Sequence, residues 1–119
     1  MKVPLHIYSA LFENEDAAFE FSAEIYDDNG DASSKLWTEI GVNWLDHDFL
    51  ETIYGEDRFA YLKTLLNKPE DVDIIANNCE PNHNTLFLVF GIESNKNYNP
   101  SATQNLKFIG TFTASFERT

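Results

Sequence analysis

Three groups of residues have the types and spacing to do chemistry. Asp27-x-Asn29-x-Asp31 places oxygen side chains at alternate positions, as the opening of a calcium-binding loop does. The match stops there. Ala32 stands where that loop needs glycine for its turn, and Thr38 stands where a bidentate glutamate would close the cage. Asp46-His47-Asp48, with Glu51 nearby, is a second ligand-like cluster. Helix capping by Asp46 explains its first member without a metal. The third group is Cys79 and His83, a nucleophile and base four residues apart. The carboxylate of Glu80 beside the thiol works against a nucleophile, so the expected role for Cys79 is a small core side chain. No nucleophile elbow, zinc-protease helix, phosphate-cradling glycine loop or paired cysteine motif is present in the sequence. Paired carboxylates are plentiful, but 20 Asp and Glu in 119 residues bring pairs together by chance. The expectation is no cofactor, no resident metal and no catalysis.

The acidic residues matter through their placement. Formal charge is −12, and the sequence pI is near 4.4. Sequence-independent nucleic-acid binding requires lysine and arginine to displace counterions, so it is disfavoured, as are anionic membrane surfaces. An acidic protein attracts a metal ion or a basic protein surface instead. Residues 13–57 hold 14 carboxylates and one basic residue, Lys35, while the rest of the chain holds 6 acidic and 7 basic residues. The entire excess therefore lies in one block. Trp37, Trp44, Tyr26 and Tyr54 lie in the same block, among Asp27, Asp28, Asp31, Glu39, Asp46, Asp48 and Glu51. Three outcomes are open: both tryptophans in the core, both anchoring an interface steered by the carboxylates, or Trp44 buried beneath exposed carboxylates.

The elements that position these residues follow from apolar periodicity. Val3, Leu5 and Ile7 alternate with Pro4, His6 and Tyr8, which predicts a strand with one buried face, its start at an edge or terminus because of Pro4. His6, opposite the aliphatic residues, is expected to be structural. Asn14 caps a predicted helix from about 15 to 25, with Ala17, Ala18, Phe21 and Ile25 as its apolar stripe. An acidic turn over 27–31 leads to a short helix capped by Ser33 or Ser34 and ended by Gly41. Asp46 precedes Phe49, Leu50, Ile53 and Tyr54, predicting an amphipathic helix broken by Gly55. Two more helices are expected over 57–66 and from Pro69 to about Asn78. Strands are expected over 85–93 and 106–116, with Leu106, Phe108, Gly110, Phe112 and Ala114 on one face of the second. The polar loop 94–105 would join them as an antiparallel hairpin. The resulting class is α+β: a single domain over 1–119, with an antiparallel sheet of three or more strands and several short helices packed on one face.

Three stretches carry a family resemblance. They are Ile25-Tyr26-Asp27-Asp28-Asn29-Gly30, then the run from Ile40 to Glu51 with its G-x-x-W-x-D-x-D-F-L-E pattern, and Leu106-Lys107-Phe108-Ile109-Gly110-Thr111-Phe112. Together they resemble the immunity protein 22 family, over nearly the whole chain. The first strand, His6-Ile7-Tyr8-Ser9, and His47 between two aspartates depart from the family's pattern.

The resemblance implies a non-enzymatic binding protein that neutralises a toxin of a bacterial polymorphic toxin system and protects the producing cell. Charge reasoning extends this to a basic toxin, a nuclease whose site holds a polyanion. The candidate toxin-facing residues are Asp27, Asp28, Asp31, Trp37, Trp44, Asp46, Asp48 and Glu51. The competing readings are an acidic adaptor, a protein that imitates the charge of DNA, and a carboxylate or metal-dependent enzyme. One cysteine excludes an internal disulfide, and Met1-Lys2-Val3-Pro4 leads into a strand-like run in place of a leader's apolar region. Both point to a cytoplasmic setting with no membrane partner.

Overall fold

The computed structural model describes residues 2–91 and 100–115. Its centre is a four-stranded antiparallel sheet in the order β4-β5-β1-β6, formed by β1 (Lys2–Ala10), β4 (Leu50–Tyr54), β5 (Thr85–Phe90) and β6 (Lys107–Ser115). A two-stranded ribbon, β2 (Ile25–Tyr26) and β3 (Ala32–Ser33), stands apart from it. Four helices complete the described chain: α1 (Glu15–Ser22), α2 (Lys35–Ile40), α3 (Arg58–Leu65) and α4 (Asp71–Asn78).

The α+β class and the antiparallel sheet are as expected, but the arrangement within them differs in two respects. The C-terminal strands are not hairpin neighbours: β1 lies between them, with Leu5 opposite Phe90 on one side and Phe112 on the other. Burial explains the order. Leu5 and Ile7 on one face of β1, and Tyr8 and Ala10 on the other, are all fully buried, so this strand belongs in the interior of the sheet. A 16-residue connection between β5 and β6 is also crossover length, well beyond a hairpin loop. Pro4 is tolerated because β5 pairing begins at Leu5, and the Pro4 carbonyl still accepts from Gly91 N–H at 2.7 Å.

Helices also cover both faces of the sheet, not one. Leu62 and Leu66 around α3 and Ile75 of α4 pack with Leu5, Ile7, Leu86, Leu88 and Phe90. Leu36, Trp37 and Ile40 of α2, with Leu45, pack with Tyr8, Ala10, Phe87 and Val89 on the opposite side, where Phe21 of α1 joins them. Every residue of β5 is buried, which is what the unbroken run Leu-Phe-Leu-Val-Phe encodes: a strand with apolar neighbours on both faces has no reason to alternate.

Local corrections have local causes. Helix α1 is capped by Asn14, whose Oδ1 accepts from Ala17 N–H at 2.8 Å, but it ends at Ser22, and Ile25 belongs to the ribbon, 53% exposed. The helix expected over 49–54 is a strand. Asp46 caps a single 3-10 turn, His47–Phe49, its Oδ1 accepting from Asp48 N–H at 2.9 Å; the chain then extends as β4 and pairs with β5, Leu50 opposite Val89 and Tyr54 opposite Thr85. Thr52, Ile53 and Tyr54 suit a pleated edge, and an unpaired side of β5 was available to claim them.

In β6 the register shifts between Ile7 and Tyr8 of the partner strand, leaving Ile109 as the extra residue next to Gly110 at φ +152°. The bulge inverts the alternation. Leu106 and Phe108 pack with the α2 side, whereas Phe112 and Ala114 pack with the α3–α4 side. Positions 92–93 of the expected strand, positions 94–99 of the expected loop and Phe116 lie outside the described residues.

Candidate functional site: an acidic face beside the sheet edge

The acidic block becomes one layer of the molecule. Residues 13–48, which carry eleven carboxylates and Lys35, build α1, the ribbon, α2 and the turn at Asp46 on one side of the sheet. Residues 58–78, which build α3 and α4 on the other side, carry three cations and three carboxylates. Charge segregated along the sequence is therefore segregated across the sheet.

Within this layer the ribbon tip is ordered by Asp27. Its Oδ1 accepts from Asn29 N–H at 2.8 Å and Asp31 N–H at 2.9 Å, while Gly30 takes φ +81°. The spacing that resembled a calcium loop is a turn motif, with the first carboxylate committed to backbone amides. Asp28 and Asp31 are exposed beside it.

A second group gathers residues that are distant in sequence. Glu24 accepts a hydrogen bond from Tyr26 O–H at 2.7 Å through Oε2, and its Oε1 lies 3.8 Å from His47 Nδ1. His47, 78% exposed, also lies 3.5 Å from an Asp48 oxygen and 4.0 Å from Asp46. Asp46, His47 and Asp48 bring their ligand-type atoms within 4.8 Å of one another. With His47 and Asp48 exposed, and the half-buried Asp46 committed to its cap, they read as a charged corner of the surface. The pKa of the Tyr26 phenol is raised, chiefly by its hydrogen bond to Glu24. Tyr61 O–H reaches Glu51 Oε1 at 3.1 Å; partial burial first, and that carboxylate second, push its pKa up as well.

The two tryptophans divide the roles in the opposite sense to a buried Trp44. Trp37 is 2% exposed and packed in the core beneath the layer, so it offers no outer surface. Trp44 is 51% exposed, next to the fully buried Leu45 that fixes its backbone. Phe19, Ile25 and Tyr26 are also exposed, giving the acidic layer four large apolar side chains open to contact.

Between α1 and the β4 edge lies a cavity of about 450 Å³, lined by Phe19, Ser22, Glu24, Trp37, Leu45, His47 and residues 50–52 among others. Ser22 Oγ and Thr52 Oγ1, both in its lining, share a hydrogen bond of 2.7 Å that ties helix to strand. The structure thus brings Asp46, Asp48, Glu51 and Trp37 into one neighbourhood with Glu24 and Phe19, which the motifs did not single out. Glu24 has no spacing signal, because its partner His47 is 23 positions away; only its membership of the charged block pointed to it.

The remaining sequence candidates have structural partners. His83 Nδ1 bonds Ser9 Oγ at 2.8 Å, and burial lowers its pKa. Cys79 Sγ donates to the Ile75 carbonyl at 3.3 Å. His6 Nδ1 meets Thr111 Oγ1 at 2.8 Å, across the β1–β6 pair. No helix among the described residues is long and apolar enough to cross a membrane.

Searches of curated proteins and of solved structures return no match. A family model, Immunity protein 22, matches residues 5–115, from the third residue before the bulge partner Tyr8 to the last described residue of β6. That span includes the sheet apart from the first residues of β1, the four described helices and the acidic layer, and on it the chain belongs to the Immunity protein 22 family.

Proposed function

We propose that this protein binds a cognate bacterial toxin domain and neutralises it through the acidic, aromatic-bearing layer. The observation that carries the reading is the asymmetry across the sheet: eleven carboxylates and one lysine on one side, a balanced set on the other. A solubility requirement alone does not call for such sorting, whereas a face that must find a basic partner does.

A nuclease is the toxin class that fits best, because an active site that holds a polyanionic substrate is itself basic. Exposed Asp28, Asp31 and Asp48 steer the encounter. Asp27 and Asp46 order the segments that present them. Exposed Trp44, Phe19 and Tyr26 supply the apolar area that charge alone does not provide, since charge governs encounter rate and partner choice more than final affinity. Trp37 contributes from below, as the packed support of the layer. The protein acts by occupation of the toxin's surface, without chemistry of its own, in the cytoplasm of the cell that makes the toxin.

Co-expression with the toxin domain encoded beside its gene tests the reading. Growth should be rescued and a stable complex should co-purify. Loss of cells at the rate seen with toxin alone would end it.

A further inference from the structure

We propose that the outer edge of β4 pairs, main chain to main chain, with an extended basic segment of the toxin, which joins the sheet as a fifth strand. This rests on the reading of the protein as a toxin-binding inhibitor, and adds to it the kind of segment the inhibitor grips.

The first observation is which main-chain groups face outward. Gly55 N–H donates to the Asn84 carbonyl at 2.9 Å, in step with the register that sets Leu50 opposite Val89. Hydrogen-bonding direction alternates along a strand, so Glu51 and Ile53 also face β5, while Leu50, Thr52 and Tyr54 face away from it. The Leu50 N–H is taken by the His47 carbonyl. Among the described residues, nothing pairs with the outward N–H and C=O of Thr52 and Tyr54. The cavity beside α1 meets Leu50, Glu51 and Thr52 in succession. Their side chains alternate between the faces, Leu50 joining the α2 side and Glu51 reaching Tyr61 of α3. A space that meets all three therefore lies along the edge itself.

The opposite edge is closed. Asn67 N–H donates to the Thr113 carbonyl at 2.9 Å and Leu66 bridges Ala114, so the chain before α4 covers the far end of β6. The bulge at Ile109, and Lys107 at the strand's start, protect the rest. Strand β4 has none of these devices: no lysine, no proline and no shift in its pairing.

Charge names the occupant. Residues 46–57 hold five carboxylates, Asp46, Asp48, Glu51, Glu56 and Asp57, and no lysine or arginine. Two copies of such an edge repel one another, so the self-pairing that threatens an open edge is disfavoured. A strand bearing lysine or arginine is attracted instead. Main-chain bonds then supply affinity, and the carboxylates select the basic segment.

The test uses the full chain with the toxin domain encoded beside its gene, and reads amide hydrogen exchange residue by residue. In the free protein Glu51 and Ile53 should exchange slowly, and Thr52 and Tyr54 quickly. On complex formation Thr52 and Tyr54 should slow at least tenfold, while Thr111, two residues from Thr113 and so outward on β6, is unchanged. Thr52→Pro removes an outward N–H, a change edge strands tolerate, and should weaken binding at least tenfold. It also breaks the Ser22–Thr52 bond; Ser22→Ala breaks the same bond and should weaken binding less than threefold. Asp48→Lys with Glu56→Lys, on either side of the strand, should weaken binding at least tenfold. If the complex forms with Thr52 and Tyr54 exchanging as in the free protein, the edge assignment is wrong while the toxin-binding reading stands. Equal losses from Ser22→Ala and Thr52→Pro, or full affinity in the charge variant, overturn it too. So does protection of the same amides in concentrated native protein alone, which makes the occupant a second copy. Should the native protein form no complex at all, the functional reading fails first and takes the edge with it. If Thr52→Pro does not fold, the exchange pattern of the native chain and the charge variant carry the test.

Discussion

Trp44 and His83 show how differently two polar-capable side chains serve one small protein. Trp44 is 51% exposed on the acidic layer, so truncation to alanine removes little packing. Trp44→Ala should change folding stability by less than about 1 kcal/mol, as surface changes do. It should weaken toxin binding by about 2 kcal/mol or more, the size of an aromatic hot spot. Denaturant melts and calorimetric titration of the same preparation separate the two. His83 is half-buried, bonded to Ser9 of β1. Burial lowers its pKa below the usual 6.5, so the unfolded chain binds the proton more readily than the folded one. Stability from this group is therefore complete above pH 6.5 and declines as pH falls through the lowered value. Comparing urea midpoints at pH 7.5 and 5.5, His83→Gln should show a smaller loss on acidification than the native chain.

Among the elements, the sheet edge and the bulge decide what surface the protein presents. The capping residues were readable: Asn14, Asp46 and Gly41 act at the positions their types predict, because a cap is a local bargain between a side chain and the next few amides. Strand β4 was not readable as a strand. Phe49, Leu50, Ile53 and Tyr54 fit a helical stripe as well as an edge strand, and the choice fell to a partner, β5, more than thirty residues away. The two-sided burial of β5 was present in its unbroken apolar run, yet helices on both faces follow only once that run is weighed against alternation. The β6 bulge was concealed by regular alternation through Gly110.

At Gly110 the backbone has φ +152°, and an added Cβ would lie 3.1 Å from the Phe112 ring. Gly110→Ala should destabilise by about 1–3 kcal/mol, the scale of a residue forced into a sparsely populated conformation. Thermal or urea denaturation measures it. An effect within error would mean that the register shift does not depend on the glycine. Asn14→Ala, removing the α1 cap, should cost about 1 kcal/mol by the same methods.

For the molecule as a whole, the −12 charge is a directional property. Most of it lies in the layer built by residues 13–48, eleven carboxylates against Lys35, while the α3–α4 layer carries equal numbers of each sign. The block was legible from sequence alone; its confinement to one side of a sheet was not, because that depends on which helices cover which face. Of the candidate residues, Asp28, Asp31, Asp48 and Trp44 are exposed, Asp27 and Asp46 hold their turns, and Trp37 lies beneath.

The central claim is that this layer meets a basic toxin. The most direct measurement is the association rate with the toxin domain encoded beside its gene, by stopped flow, over a range of ionic strength. The double variant Asp28→Lys, Asp31→Lys should be compared with Glu70→Lys, Asp73→Lys on the opposite layer, an equal change of charge. The account predicts a rate that falls steeply with salt, a drop of about tenfold or more for the acidic-layer variant at low salt, and a far smaller change for the opposite-layer control. Equal slowing by both variants, or native association that is indifferent to salt, would contradict it.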